Sequence, residues 1–439
     1  MAINQVHSNM EMSCTDDGWN ESPLSRREPE SSPWPIIVDE DRAAVMRVLD
    51  RGVLSGMFAP EARALEQEFA AFAGARHCLL THSGTSALQL ALAAAGVEEG
   101  DEVIVPAYSF VATPMAVLLQ RAVPVFADVD VATGLLDPAC AEAAISPRTR
   151  AIMPVHVHGC PADLEDFGRL ARKRGLATVE DAAQAHGATF NGRHVGAIGT
   201  SGGFSLQTSK SLPGGEGGLF VTNDDSGFEI AQRLRSFGQK VEGKFDPQLP
   251  LDSERTIDVD RIGAMYRGNE MMAAFVRSQL RRFPALLARC QDNAERLITS
   301  LRLLPGVHPP LVPAGRTSGH HKFRVRVDAR EAGLDIPNQV LRDQLAAALR
   351  AEGLSVVTWQ SSALPAFTLF GNQEPARFPA TSAMLDSSFV LFSQSSPLIA
   401  QSRDVVEHYA ATFEKVWAAT LRLSRADRSV MVGADAAGG

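Results

Sequence analysis

The sequence predicts an α/β protein: a large domain built on a mostly parallel sheet covered by helices, joined to a smaller C-terminal α+β domain. Three observations carry that prediction. Short β-branched or apolar runs alternate with helical patterns over roughly 150 residues, as expected of strands joined by crossover helices. The pattern changes character near Gln291, where a long helix leads into a second, shorter set of elements. At 439 residues the chain also exceeds what a single compact core usually holds.

Residues 1–35 are rich in Ser, Glu, Asp, Pro and Arg with few apolar positions, and predict a mobile arm. The large domain is expected over 36–290. Within it, Leu65, Phe69 and Phe72 recur at helical spacing across 61–72, a pattern that stops at Gly74, and 86–95 gives an apolar helix stopped by Gly96. Strands are expected at 102–106, 123–127, 151–155, 177–180, 203–206 and 218–222. The small domain, 291–425, begins in a long helix. It continues with an alternating strand at 322–327, a helix at 337–352, a strand at 354–359, an apolar run at 389–392 and a helix near 403–417. Residues 426–439 predict a flexible tail.

Composition narrows the function. Hydrophobic residues make up 45% and charged residues 21%, and no apolar run approaches bilayer length, so no membrane partner is expected. A net charge of −9 without a Lys/Arg cluster argues against nucleic acid. The five cysteines, Cys14, Cys78, Cys140, Cys160 and Cys290, are scattered and lack CxxC spacing, and no apolar secretory segment is evident at the N-terminus. Together these predict a cytoplasmic protein with free thiols. Only six of the 42 basic residues are lysines, which shortens the search for a catalytic amine.

Ligands in open parallel sheets bind beyond the carboxyl ends of strands. Three segments put chemistry there. His82-Ser83-Gly84-Thr85-Ser86 is a polar turn opening onto a helix, and either seats a phosphate or simply caps that helix. Glu180-Asp181 ends an apolar strand, where a carboxylate can hold a protonated heterocyclic nitrogen or cap the next helix. Lys210 comes after the buried 204–206 run and precedes the Gly214–Gly218 block, so it is a candidate amine nucleophile or a plain solvated charge. A phosphate seat, a carboxylate for a ring nitrogen and an amine for an aldehyde are jointly the three handles of pyridoxal phosphate.

The residues that carry those handles belong to longer motifs: Ser83-Gly84-Thr85-Ser86-Ala87-Leu88, Gly100-Asp101-Glu102-Val103-Ile104-Val105-Pro106, Glu180-Asp181-Ala182-Ala183-Gln184-Ala185-His186-Gly187, and Lys210 with Gly215-Glu216-Gly217-Gly218. In order and spacing, from about Val53 to Leu303, the chain resembles the DegT/StrS type of sugar and cyclitol aminotransferases. The resemblance implies the fold type I architecture of pyridoxal 5'-phosphate enzymes and a homodimer with sites at the subunit boundary. It implies Lys210 as the lysine that carries the cofactor aldehyde and as catalytic base, and Asp181 as partner of the pyridine nitrogen. Gln184 would lie near the ring hydroxyl, Phe110 would stack on the ring or serve merely as a core aromatic, and Gly84, Thr85 and Ser205, beside Ser83, would hold the phosphate.

The implied reaction moves an amino group from L-glutamate or L-glutamine to a keto-sugar or keto-cyclitol, in amino-sugar, aminocyclitol or other secondary-metabolite biosynthesis such as that of antibiotics. Two other outcomes stay open: amination with dehydration to an aminobenzoate-type product, and a catalytically silent partner of another biosynthetic enzyme. Departures from the family pattern fall at His158 (usually Tyr), Gln207 (usually His) and Met265 (usually an Asn reaching the neighbouring subunit's phosphate). With His321 these are the candidate substrate residues. Gln207 is more similar to members acting on cyclitols or aminobenzoate precursors.

Rival signals are weaker. His156, His158 and Cys160 alternate as metal ligands on an extended strand might, but no fourth ligand is in view and no metal is expected. Gly199-Thr200-Ser201-Gly202-Gly203 matches GxSxG without the helix a nucleophile elbow needs. No GxGxxG comes after the first strand and no Walker lysine is present.

Overall fold

Side chains of successive strand residues point to opposite faces, so a strand buried throughout needs cover on both sides. The computed structural model describes residues 30–56, 59–242 and 256–435. Among these, seven strands form the main sheet in the order 77–81, 218–222, 201–205, 177–181, 149–152, 102–106, 123–127. All run parallel except Gly218–Thr222, which is antiparallel to both neighbours. Leu79, Val103, Val105, Val179 and Phe220 pack with helix Gly84–Ala94 on one face. On the other face Cys78, Leu80, Phe204, Leu219 and Val221 meet Leu65 and Phe69 of helix Pro60–Ala73 and Val276 and Phe283 of helix Glu270–Leu301. The α/β expectation thus holds, with strand His77–Thr81 added.

A smaller four-stranded antiparallel sheet, in the order 307–308, 323–327, 388–391, 356–357, carries helices Asn338–Ala351 and Arg403–Asp435. Here the expectations need correction. The 322–327 strand begins at Phe323 and does not alternate: Phe323, Arg324, Val325 and Val327 are all buried, because Arg324 reaches back to the large domain and donates to the Ala132 carbonyl oxygen. The 354–359 strand shortens to Val356–Val357. The final helix continues to Asp435, so the tail expected from 426 is helical over most of its length.

The expected boundary at 290 falls inside the unbroken helix Glu270–Leu301, and one apolar cluster runs from Trp34 through Phe283 and Val325 to Trp417. Two sheets therefore share one core. Most of the expected arm lies outside the described residues, but Trp34 is buried and its indole Nε1 donates to the Lys210 carbonyl oxygen at 3.2 Å. The body of the protein therefore starts before residue 36.

Close backbone approach fixes the helix that opens the candidate phosphate seat. A Cβ on Gly218 would lie 2.2 Å from the Ser83 oxygen and 2.7 Å from the Gly84 nitrogen. Backbone atoms cannot swing aside as a side-chain tip can. Gly218→Ala should therefore lower stability by about 1–3 kcal/mol, read as a lower urea midpoint at unchanged slope.

Candidate active site

Three strand ends deliver the functional groups to one place. Strand His77–Thr81 leads into Ser83, whose Oγ accepts from the Ser86 amide at 3.1 Å and caps helix Gly84–Ala94. That cap leaves the first-turn amides of Gly84 and Thr85 at the positive end of the helix dipole. Both readings of the turn, cap and anion seat, are thus compatible. Strand Ala177–Asp181 ends in the two acids, and strand Ser201–Ser205 ends in Ser205, five residues before Lys210. Ser83, Gly84, Thr85, Phe110, Thr113, Asp181, Gln184, Ser205, Gln207, Lys210 and His321 line one cavity of about 320 Å³.

The adjacent acids divide their work. Glu180 turns away from the cavity and accepts from the amides of Gly196, Ile198 and Gly199 at 2.6–2.7 Å. His156 completes its set: Nδ1 accepts from the Ala162 amide, so the proton of the neutral ring sits on Nε2 and is donated to Glu180 at 3.0 Å. Glu180 is therefore scaffold. Asp181 accepts from Thr113 Oγ1 at 2.6 Å and from the Ala183 amide at 3.1 Å. Thr113 spends its proton on Asp181, so Ser109 Oγ, 2.8 Å away, donates to Thr113. Burial raises the Asp181 carboxyl above the usual range, against the opposing pull of Thr113, the Ala183 amide and Lys210. It is a carboxylate that gains by meeting a cation.

Lys210 is partly buried at the cavity wall. Burial pushes its ammonium down to about 8, while the Asp181 charge pulls upward. The two groups feel each other yet form no ion pair, and the cavity lies between them. Trp34, through the Lys210 carbonyl, and Gln207, whose Oε1 accepts from the Ser209 amide at 2.8 Å, hold the loop that carries the amine.

The chain matches the DegT/DnrJ/EryC1/StrS aminotransferase family model over residues 35–408. It belongs to that family. MosB of Rhizobium meliloti is 33% identical over 398 residues, covering 88% of this chain and 77% of that one. The L-glutamine:2-deoxy-scyllo-inosose aminotransferase of Streptoalloteichus tenebrarius is 36% identical, covering 72% and 76%. The dTDP-3-amino-3,4,6-trideoxy-alpha-D-glucose transaminase of Streptomyces venezuelae is also 36% identical, covering 73% and 77%. Among solved structures, DesV of S. venezuelae superposes with a TM-score of 0.74 at 31% identity, covering 86% of this chain and 94% of that one. A 3-amino-5-hydroxybenzoic acid synthase superposes at 0.78 and 30% identity, covering 89% and 100%. The fold is that of the fold type I aminotransferases.

This DegT-family chain is an aminotransferase, and its family implies pyridoxal 5'-phosphate. The cavity suits that group: one partly buried amine, one buried carboxylate at a distance from it, an uncapped pair of helix amides, and the half-exposed ring of Phe110 (56%) at the wall.

Not every candidate enters the wall. His158 lies behind it, its Nε2 2.7 Å from Tyr108 Oη and its ring edge-on to Trp359, while its amide donates to Gln184 Oε1 at 2.8 Å. It orients Gln184 rather than facing the cavity. Met265 stands 42% exposed beside Ser236, away from the wall. The metal alternative dissolves because His156 serves Glu180 and His158 serves Tyr108. The only metal-compatible trio among the described residues is elsewhere, His308 with Asp328 and Glu331. Ser201 is buried in a strand and donates to the Ala91 carbonyl oxygen, so it is no nucleophile elbow. The small-domain segment Gly319-His320-His321-Lys322, expected from the sequence to shape the pocket, brings His321 and Lys322 to the lining, whereas sequence reasoning missed Thr113, Trp359 and Gln394, which line the cavity too. Thr113, three residues past Phe110, was within reach of a helical-spacing argument; Trp359 and Gln394 had no local signal.

The low value of Lys210 is open to a direct test. In cofactor-free protein, trace labelling with acetic anhydride, mapped by mass spectrometry, should rise with pH and reach half its maximum near pH 8 at Lys210, against about 10.4 for an ordinary lysine. Because Asp181 pulls that value upward, Asp181→Ala should move the midpoint lower still.

Proposed function

We propose that this aminotransferase uses pyridoxal 5'-phosphate to move an amino group from L-glutamine or L-glutamate to a keto-sugar or keto-cyclitol. The observation that carries the reading is the convergence of Lys210, Asp181 and the Ser83–Thr85 turn on one cavity at three strand ends. The relatives named for L-glutamine with an inosose and for a dTDP-amino sugar support both the donor and the acceptor class. Their names, one for a cyclitol ketone and one for an amino sugar, favour amino-sugar or aminocyclitol biosynthesis, and the reaction is expected in the cytoplasm and in secondary metabolism, as the sequence predicts.

When bound, pyridoxal phosphate supplies an aldehyde and an electron-withdrawing ring that stores the electrons released at the donor's α-carbon. Lys210 Nζ would hold the aldehyde end and serve as the base for the donor's α-proton, a role that its lowered value of about 8 favours over an ordinary lysine. Asp181 would hold the proton on the ring nitrogen, with Thr113 and the Ala183 amide keeping its carboxylate aimed. The Gly84 and Thr85 amides with the Ser205 and Ser83 hydroxyls would bind the phosphate, Phe110 would stack on the ring, and Gln184, set by His158, would lie near the ring hydroxyl.

A homodimer fits the same surface. Phe237, Ile262 and Met265 are exposed apolar side chains on adjoining segments, and Phe110 is exposed at the cavity itself. Such a cluster is expected to be covered by a second copy. Light scattering should give twice the 47.1 kDa chain mass. A second reading, amination with loss of water, draws on the likeness to the 3-amino-5-hydroxybenzoic acid synthase; release of an aromatic product from a cyclic keto acid would select it.

The main reading is tested by spectrum and by trapping. Purified protein with added cofactor should absorb in the visible-edge band, lose that band on adding L-glutamine, and after borohydride carry the adduct on Lys210. An adduct on any other lysine defeats the assignment. Asp181→Ala should keep the adduct but slow the donor half-reaction by about 10²–10³-fold, the scale of a lost preorganised charge.

A further inference from the structure

The cavity wall contains a second amine, on a lysine that is only partly exposed. Lys322 stands there beside His321, Trp359 and Gln394, on the face contributed by the small sheet. Its Nζ has no hydrogen bond or ion pair among the described residues. The one charge that acts on it is Lys210, another cation, and burial with that repulsion pushes it down to about 8. Behind it the fully buried Arg324 donates to the Ala132 carbonyl and the Ser388 hydroxyl, neither of them a carboxylate. A partly desolvated amine with no counter-charge in contact gains when an anion arrives.

The backbone that presents Lys322 is held at some expense. The Gly319 amide donates to the Gly159 carbonyl at 2.9 Å, and the Lys322 amide to that of His158 at 3.4 Å. On the two sides of this seam His158 and His320 have φ of 57° and 43°, the left-handed region that non-glycine residues avoid. Gly159 has φ of +92° and leaves no room for a Cβ, which would lie 2.8 Å from the His320 nitrogen. Strain of this kind persists where the surroundings fix it, and it gathers at ligand sites. Here it fixes one lysine against the cavity.

We infer that Lys322 anchors a substrate carboxylate in this cavity. A phosphate seat is already available at the Gly84 helix end, and the amide side chains of Gln207 and Gln394 belong to the same wall as neutral partners for a second oxygen. The substrate that always brings a carboxylate is the amino donor. The assignment therefore rests on the aminotransferase reading, and the carboxylate is that of the donor or one carried by the acceptor ring.

The test uses glutarate, a dicarboxylate with no amine to react, and both half-reactions. Titration calorimetry of cofactor-free protein should show glutarate binding weakened about tenfold or more in Lys322→Met and Lys322→Gln, a loss of about 1.4 kcal/mol, with Lys322→Arg retaining part of it. Thermal midpoints identify variants that do not fold, and any one folded substitution decides. In the donor half-reaction the same variants should raise the KM for L-glutamine about tenfold at nearly unchanged kcat, and leave 4-aminobutanamide, which lacks the α-carboxylate, unaffected. A rise confined to the KM of the acceptor assigns the carboxylate to that substrate instead. Unchanged glutarate affinity with both KM values unchanged overturns the proposal. Should wild-type protein consume neither L-glutamine nor L-glutamate, the proposed reading fails, while the glutarate comparison still judges Lys322.

Discussion

Holding an amine largely out of water without a partner in contact is the constraint on which this structure depends. Lys210 is partly buried with no ion pair, and the protein tolerates it because Asp181, itself buried, supplies a compensating field from the same cavity wall. Asp181 in turn needs donors of its own, and finds them in Thr113 and the Ala183 amide; Thr113 is oriented by Ser109. Each polar group is held by another one step further from the cavity. The chain ends in the Ala183 backbone amide on one branch and the buried Ser109 hydroxyl on the other.

The two adjacent acids illustrate how one strand serves both fold and chemistry. Glu180 gathers three amides of the 196–199 segment and a histidine, fixing the loop that precedes the Ser201–Ser205 strand. Asp181, one residue on, faces the cavity. The alternation of a strand separates them, and a shift of one register would exchange scaffold and site.

Much of this was legible in the sequence because the signals are local. Strand-ending polar residues at 83–85, 181 and 210 lie next to apolar runs, and parallel topology brings strand ends together without further information. The strands of the large domain are readable for the same reason, although those expected at 151–155 and 203–206 lie earlier in the chain, at Thr149–Ile152 and Ser201–Ser205. Legibility fails where burial is decided by distant partners. Arg324 reads as the polar half of an alternating strand, yet its guanidinium is buried against Ala132, nearly two hundred residues earlier in sequence. His158 reads as a cavity residue, yet its ring is taken by Tyr108, which no periodicity links to it. Helix Glu270–Leu301 crosses the expected domain border because both sheets pack on it, a fact invisible to a change in local pattern.

The indole of Trp34 ties the front of the chain to the carbonyl of the very residue whose amine does the chemistry. The stretch shared with the family begins at residue 35, one position later. Anyone trimming a recombinant version to the homologous segment would thus discard the outermost strut of the lysine loop while retaining every group in the cavity, and would inherit a weakened enzyme whose defect no inspection of its catalytic residues could explain.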